Sequence, residues 1–493
     1  MLSAYVRLSR KFRPELSVGR RDFLKNTAVL GASLLLSTTS YSRPNIASRV
    51  VVVGAGFAGL ACAHELKAAG YAVTLIEARN RVGGRVLTFR DVVQDRTVEG
   101  GAEFLGSNHP TWVAYAEMFG LKFLDVSQED DLSIPIYLDG HLLDDAMSAK
   151  VFGEMEFSLN TLNVQAAWMD ADQPWLSPRA IELDQTTISD WLGTLDVSKS
   201  VRQLIAVQLA SDNGVANDRA SFLGMLTSIR GGGCDKYWTD SEVYRCEGGN
   251  DLLAKRLAEA IGPDRIQLDT GVQSIEFGGD VVTVRCADGK SLECDDIVLA
   301  VPPSVWHRIL FKPHLPEVLS KQQMGTAVKY LATVKSRFWK DNERSQNAFT
   351  DGPISQTWES TDAQDCLHST VGLSGFSGGP QAELCMRFAK EERDTNYAAE
   401  FSKVYPEFRK HFLKARFMDW PLDPWTGAGY SFPAPGQITS IGKLLHEGLG
   451  RLHFCGEHVC YRFVGYMEGG LYSGASRARR LAKRDGLTNY LLL

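Results

Sequence analysis

Residues 455–470 read CGEHVCYRFVGYMEGG: two cysteines, one histidine, two glutamates and two tyrosines in sixteen positions. Such a cluster could ligate a metal, form a redox disulfide, pair a nucleophile with a base, or close over a cofactor. Zinc needs four ligands at a recognisable spacing, and Cys455, His458 and Cys460 offer three with no fourth nearby. No metal is expected. Cys455 and Cys460 are not a CxxC pair, which argues against thioredoxin-like chemistry, although a bridge between them stays open. Two further stretches carry chemistry-bearing residues: Lys329 in MGTAVKYLATVKSRFW, and Tyr430 in the aromatic, proline- and glycine-rich DWPLDPWTGAGYSFPAPGQ.

The element that must position this chemistry begins at Ser48. Val50 to Val53 read as a buried parallel strand, followed by Gly54-x-Gly56-x-x-Gly59, a helix with Leu60, Ala63, Leu66 and Ala69 near one face that ends at Gly70, and a second strand, Ala72 to Ile76, ending at Glu77. Strand, glycine turn, helix, strand and acid in that order form a dinucleotide fingerprint. Gly54 allows the tight turn, Gly56 lets a pyrophosphate approach, and Gly59 brings helix against strand. The helix N-terminus offers N–H groups to the phosphates, and Glu77 suits a ribose. Arg81, Gly83, Gly84 and Arg85 follow directly, and VEGGAEFLGSNHP from Val98 adds a second glycine pair.

Together with the C-terminal GYMEGG, these segments resemble the flavin-containing amine oxidase family, over most of the chain after Ser48. The resemblance implies an α/β two-domain flavoprotein, with a Rossmann-like FAD-binding domain and a mixed α+β substrate-binding domain. It implies FAD contacts from Gly54, Gly56, Phe57, Ala58, Gly59, Glu77, Ala78, Arg79, Gly84, Arg85, Gly101, Ala102, Glu103, Val272, Gly456, Glu457, Gly465, Tyr466 and Met467. It also implies three catalytic residues: Lys329, holding a water beside the flavin, and Tyr430 facing Tyr466 across the amine-binding space. Some monoamine oxidases carry a flavin-linked cysteine just before the tyrosine. Here Gly429 stands there, so non-covalent FAD is expected. Gly456-Glu457 would grip a ribityl or ribose hydroxyl, and the helix from Met467 would face the flavin carbonyl.

The chain has 493 residues, more than one ordinary core. Its 53 basic and 59 acidic residues give a net charge of −6 and no nucleic-acid footprint. Nine scattered cysteines are no disulfide framework. GRRDFLKNTAVLGASLLL, from Gly19 to Leu36, resembles a twin-arginine export signal, and its apolar stretch from Ala28 to Leu36 is too short for a bilayer span, which takes roughly 20 apolar residues. The expected layout is a signal segment and tail at 1–47; FAD-binding parts at 48–130, 236–303 and 416–485; and substrate-binding parts at 131–235, with helices near 145–167 and 187–210, and at 304–415. Gly248, Gly249 and Asn250 suit either a phosphate cradle or a plain helix entry.

The activity expected is L-amino acid oxidation to a 2-oxo acid, ammonia and hydrogen peroxide, with dioxygen as acceptor. The alternative is a primary monoamine oxidase giving an aldehyde, and a desaturase or dehydrogenase of the same fold ranks below both. An amino acid would need a carboxylate clamp. Animal L-amino acid oxidases carry an arginine near the segment where this chain has Glu103 and Phe104; Arg230, Arg245 and Arg462 are the remaining candidates. Location is expected to be periplasmic or secreted through the twin-arginine machinery, with a cytoplasmic location as the alternative. A homo-oligomer is compatible with this reading.

Overall fold

Four consecutive valines in RVVVV can be buried only if both faces of their strand are covered, and that is how the chain uses them. In the computed structural model, which describes residues 3–12, 48–127, 132–365 and 368–487, Arg49–Val53 is the central strand of a five-stranded parallel sheet. Its neighbours are Ala72–Ile76, then Ile266–Gln267, on one side, and Asp296–Leu299, then Leu452–Phe454, on the other. The helix Phe57–Ala68 covers one face and packs on the terminal helix Met467–Arg484. The backbones approach so closely there that a Cβ on Gly474 would meet the Ala58 carbonyl at 2.1 Å. Each Val or Leu buried between these layers contributes about 1.5–3 kcal/mol.

A second, four-stranded sheet continues the same half of the molecule. Val272–Glu276, Val282–Cys286 and Ser291–Cys294 form an antiparallel meander, and Leu310–Lys312 adds in parallel to Val272–Glu276. The sheet therefore runs beyond the expected boundary at residue 303. The third sheet has seven strands, with Ala327–Val334 between Phe412–Asp419 and Val371–Gly378, and Gln356–Glu359 next in order. Phe412–Asp419 straddles the expected boundary at residue 415. Lys329, Phe376 and Gln356 stand opposite one another across three strands. Their side chains therefore share one face of the sheet, together with Trp358 two residues on.

A helical cluster, including Asp145–Ala166, Lys199–Asn213 and Phe222–Gly231, caps that face. The helix expected over 187–210 is two, Ile188–Thr194 and Lys199–Asn213, because Ser198 caps the second by accepting from the Val201 N–H. Ser3–Phe12 is a helix whose Leu8 joins this cluster and whose Phe12 ring stacks on Phe152 at 5.5 Å. The twin-arginine stretch, 19–36, lies outside the described residues. No helix among the described residues is long and apolar enough to cross a membrane.

Candidate active site

One cavity, with about 1780 Å³ of empty space including its open mouth, runs from the glycine turn to the face of the seven-stranded sheet. Every residue assigned to cofactor or catalysis from sequence lines it except Gly59. Gly59 acts from behind: a Cβ there would lie 1.8 Å from the Gly54 carbonyl oxygen, so only glycine lets helix and turn meet. At this end the wall is main chain. The Gly56 and Gly84 backbones lie side by side, and the helices starting at Phe57 and Met467 both reach the cavity with no side-chain cap on their first N–H groups. Such N-termini are ready anion and carbonyl acceptor sites.

The acid of the fingerprint is held in place by backbone. Glu77 accepts from the Ala55 and Arg79 N–H groups, each at 2.8 Å, leaving lone pairs on the cavity side for ribose hydroxyls. The arginines find carboxylates: Arg79 pairs with Asp423, and Arg85 with Glu457 at 2.9 Å. Arg81 instead caps the Gly84 carbonyl at 2.9 Å. The Gly248–Asn250 turn is a helix entry. Asn250 donates to the Ala102 and Glu103 carbonyls at 3.1 and 2.7 Å and does not line the cavity.

Glu457, expected to grip a hydroxyl, lines the cavity and is itself held by the chain. Its carboxylate accepts from Ser431 Oγ at 2.6 Å, the Gly465 N–H at 2.9 Å, Arg85 at 2.9 Å and the Ser431 N–H at 3.3 Å. These donors fill its roughly four acceptor positions. Burial would raise its pKa, but Arg85, His458 and Ser431 outweigh burial and hold it below the usual carboxylate range. Ser431 follows Tyr430 and Gly465 precedes Tyr466, so this one ion fixes both loops that carry the tyrosines.

Both tyrosines line the cavity. Tyr430 donates to the Ser211 carbonyl at 3.0 Å, and Tyr466 packs edge-on against His109 at 5.4 Å. Burial pushes both phenols well above their ordinary range, so they are neutral. His109 accepts from the Gly106 N–H through Nδ1 at 3.0 Å, and burial lowers it to about 3, so it too is neutral.

Lys329 rises from its strand into the cavity wall and is itself buried. Its ammonium reaches the Gly101 carbonyl at 2.7 Å, the Glu99 carbonyl at 3.3 Å and the Glu103 carboxylate at 2.6 Å. Glu103 also accepts from Arg245 and from Trp358 Nε1, both at 2.9 Å. Burial alone would raise Glu103, but Lys329 and Arg245 hold it ionised and below the usual range. Glu103 thus positions Lys329 and is not available to orient substrate. All three ammonium protons have protein acceptors, the weakest being Glu99, so the expected water would have to displace that long bond.

None of the three arginines considered as carboxylate clamps lines the cavity. Arg230 is exposed. Arg245 is held by Glu103, Asp362 and the Glu359 carbonyl, and Arg462 lies with Asp172 and Tyr472. Arg7 lies over the rings of Phe104 and Trp358 without lining the cavity. The acid Glu242 does line it, and Asp212 sits behind the tyrosines. The sequence reading missed Trp358, Phe376, Glu242 and Asp212. Strand alternation could have placed the two aromatics beside Lys329; no local signal marks the acids.

Gly429 has no space for a side chain, since a Cβ would meet Ala327 at 2.7 Å, and no cysteine among the described residues lines the cavity. Cys455 and Cys460 are both unpaired and buried. The open glycine turn, two uncapped helix ends and an acid at the ribose position fit FAD held without a covalent bond.

Residues 57–482 match the family model of flavin containing amine oxidoreductases. The chain is 25% identical over 458 residues to amine oxidase [flavin-containing] A of Equus caballus, covering 89% of this chain and 85% of that protein. It is 25% identical to the probable flavin-containing monoamine oxidase A of Dictyostelium discoideum, covering 89% and 98%. Among solved structures, cyclohexylamine oxidase from Brevibacterium oxydans IH-35A superposes with a TM-score of 0.80 at 25% identity, covering 90% of this chain and 100% of that one. Putrescine oxidase bound to putrescine shares the fold with a TM-score of 0.80 at 23% identity, covering 90% and 100%. The chain is a FAD-dependent amine oxidase and belongs to the flavin containing amine oxidoreductase family.

Proposed function

We propose that the substrate is a small primary amine, converted with dioxygen and water to an aldehyde, ammonia and hydrogen peroxide. The observation that carries this choice over an L-amino acid is charge. The cavity's tyrosine end carries a buried acid, Glu242, and the arginines that line the cavity, Arg79, Arg85 and Arg308, are taken up by Asp423, Glu457 and the Trp425 ring. An ammonium is favoured there and a carboxylate is repelled. The proteins named above are monoamine, cyclohexylamine and putrescine oxidases, which points the same way.

FAD, when bound, supplies the two-electron acceptor for the C–H bond beside the amine and passes the electrons on to dioxygen. The rest is positioning by the chain. Tyr430 and Tyr466, neutral and fixed by Glu457, give the amine two aromatic walls that tolerate a cation and stay dry. The substrate arrives protonated and must shed a proton to water before its C–H bond can break, and no side-chain nucleophile is required. Lys329, fixed by Glu103, keeps a positive charge where negative charge develops on oxygen. The cofactor grip falls to Gly54, Gly56, Glu77, Gly84 and the uncapped helix starts at Phe57 and Met467.

An anaerobic bleaching screen tests the reading: tyramine, phenylethylamine, cyclohexylamine and putrescine against the twenty L-amino acids. Bleaching by amines supports it, and bleaching by amino acids alone restores the 2-oxo acid reading. We further propose export through the twin-arginine route, on the GRRDFLK stretch. Replacing both arginines by lysine, R20K with R21K, is expected to keep the protein in the cytoplasm. Unchanged export would contradict that route.

A further inference from the structure

Upstream of the GRRDFLK stretch, the chain packs a helix into its own substrate-binding half. Ser3–Phe12 lies against the helices Asp145–Ala166 and Asp235–Asp240. Leu8 is fully buried in the helical cluster, Arg7 and Ser9 are buried beside it, and the Phe12 ring stacks on Phe152 at 5.5 Å. Lys11 donates to the Leu132 carbonyl at 3.1 Å and stands 3.7 Å from the Asp145 carboxylate. Apolar burial, ring stacking and an ion pair together make a built docking contact.

That contact reaches the cavity wall. The Arg7 guanidinium stands 5.5 Å from the Phe104 ring centroid and 5.9 Å from that of Trp358, and both residues line the cavity. The ammonium that begins the chain acts electrostatically on His109 and Asp212. His109 packs on Tyr466, and Asp212 lies behind both tyrosines. The N-terminal segment thus brings positive charge to the end of the cavity where Glu242 favours a cation. It adds nothing to the cavity's lining, since every described residue that lines it lies at Val53 or beyond. A segment that the site does not need, and that presents cations where the substrate's ammonium belongs, competes with substrate.

We propose that the helix Ser3–Phe12 is an autoinhibitory latch: docked, it holds the Phe104–Trp358 wall closed against amines, and release of the N-terminal segment opens the site. The proposal goes beyond the amine reading. It draws on the export reading for one point alone, that removal of the signal at the destination removes the latch with it. An oxidase latched in this way releases no hydrogen peroxide before it arrives.

The test compares full-length, FAD-loaded wild type with Leu8→Asp, which puts a carboxylate into a fully buried apolar site and undocks the helix. Undocking is read by trypsin, which should cut after Arg10 and Lys11 at least about tenfold faster in the variant. In oxygen-consumption assays with phenylethylamine, KM should fall by about tenfold or more with little change in kcat, because a latch lowers apparent affinity by the fraction of molecules that are open. Arg7→Ala should lower KM by less. A synthetic peptide of residues 1–15, added to the Leu8→Asp enzyme, should raise KM again in competition with the amine. An unchanged KM in Leu8→Asp enzyme whose helix trypsin cuts fast would overturn the latch. Loss of FAD from Leu8→Asp, with no fall in KM for Arg7→Ala, would overturn it too, since the helix would then belong to the fold. Failure of the export reading leaves these kinetics untouched and is read separately from the R20K, R21K variant.

Discussion

At the dinucleotide end of the cavity the wall is main chain, set by the glycines of one short stretch and two helix starts, with Glu77 held by the N–H groups of Ala55 and Arg79. At the tyrosine end the wall is side chains gathered from far apart: Lys329, Trp358, Phe376, Tyr430, Tyr466 and Glu242. The first end tolerates almost no substitution at its glycines and is indifferent to most other changes. The second is adjustable residue by residue but depends on buried ions to hold it. A cofactor common to a family is gripped by backbone, which no single side-chain change can alter. A substrate that differs among members is met by side chains.

Breaking the first end should give the largest effect. Gly59→Val would drive a side chain into the Gly54 carbonyl, 1.8 Å from its Cβ. The cost is more than about 4 kcal/mol, and the expected product is colourless or insoluble, read from flavin absorbance per protein. Yellow, stable protein would mean the turn and helix can separate. Next comes Lys329→Met, which should slow reoxidation of the reduced enzyme by oxygen by about a hundredfold, with a smaller change in its anaerobic reduction by amine. Stopped-flow traces of the two half-reactions separate these, and an equal loss in both would assign Lys329 to substrate.

A third substitution joins the two ends. Glu457→Gln weakens the bonds to Arg85, Ser431 and Gly465 together, at a cost of about 2 kcal/mol in stability. Amine kcat/KM should fall while FAD stays bound, because the tyrosine loops loosen before the glycine cradle does. Loss of FAD with unchanged kinetics in the remaining holoenzyme would show that Glu457 belongs to the cofactor end.

The smallest effect concerns pH. Burial raises Glu99 to about 8. A carboxyl whose folded pKa lies above its unfolded value stabilises fully below the unfolded pKa, about 4.3, and loses that contribution as pH rises through about 8. Thermal stability should therefore decline across that window, and Glu99→Gln should flatten the decline. A melting temperature equally steep in the variant would remove Glu99 from the account.

What the sequence could reveal follows the same division. The glycine spacing, the strands Val50–Val53 and Ala72–Ile76, and the strand before Gly456 are local patterns, because backbone geometry constrains neighbouring residues. The Glu103–Lys329–Arg245 cluster is not local: Lys329 lies 226 positions and Arg245 142 positions from Glu103, and they meet only because the seven-stranded sheet turns Lys329 toward the segment at Gly101. Glu103 was legible as a candidate but not as the anion that holds Lys329. Glu457 was legible as a site residue but not as the clamp on both tyrosine loops. Asp212 and Glu242 carried no pattern, since an isolated acid in a helix or a turn looks the same whether it is solvated or buried.

The central claim is that the tyrosine end accepts an ammonium and refuses a carboxylate. Phenylethylamine and L-phenylalanine differ by one carboxylate and little else. Mixed anaerobically with the enzyme, phenylethylamine should bleach the bound FAD at least about a hundredfold faster at equal concentration, since an unpaired buried charge costs several kcal/mol. Equal or faster bleaching by L-phenylalanine would contradict the account and require one of the cavity's arginines to leave its present partner and clamp the carboxylate.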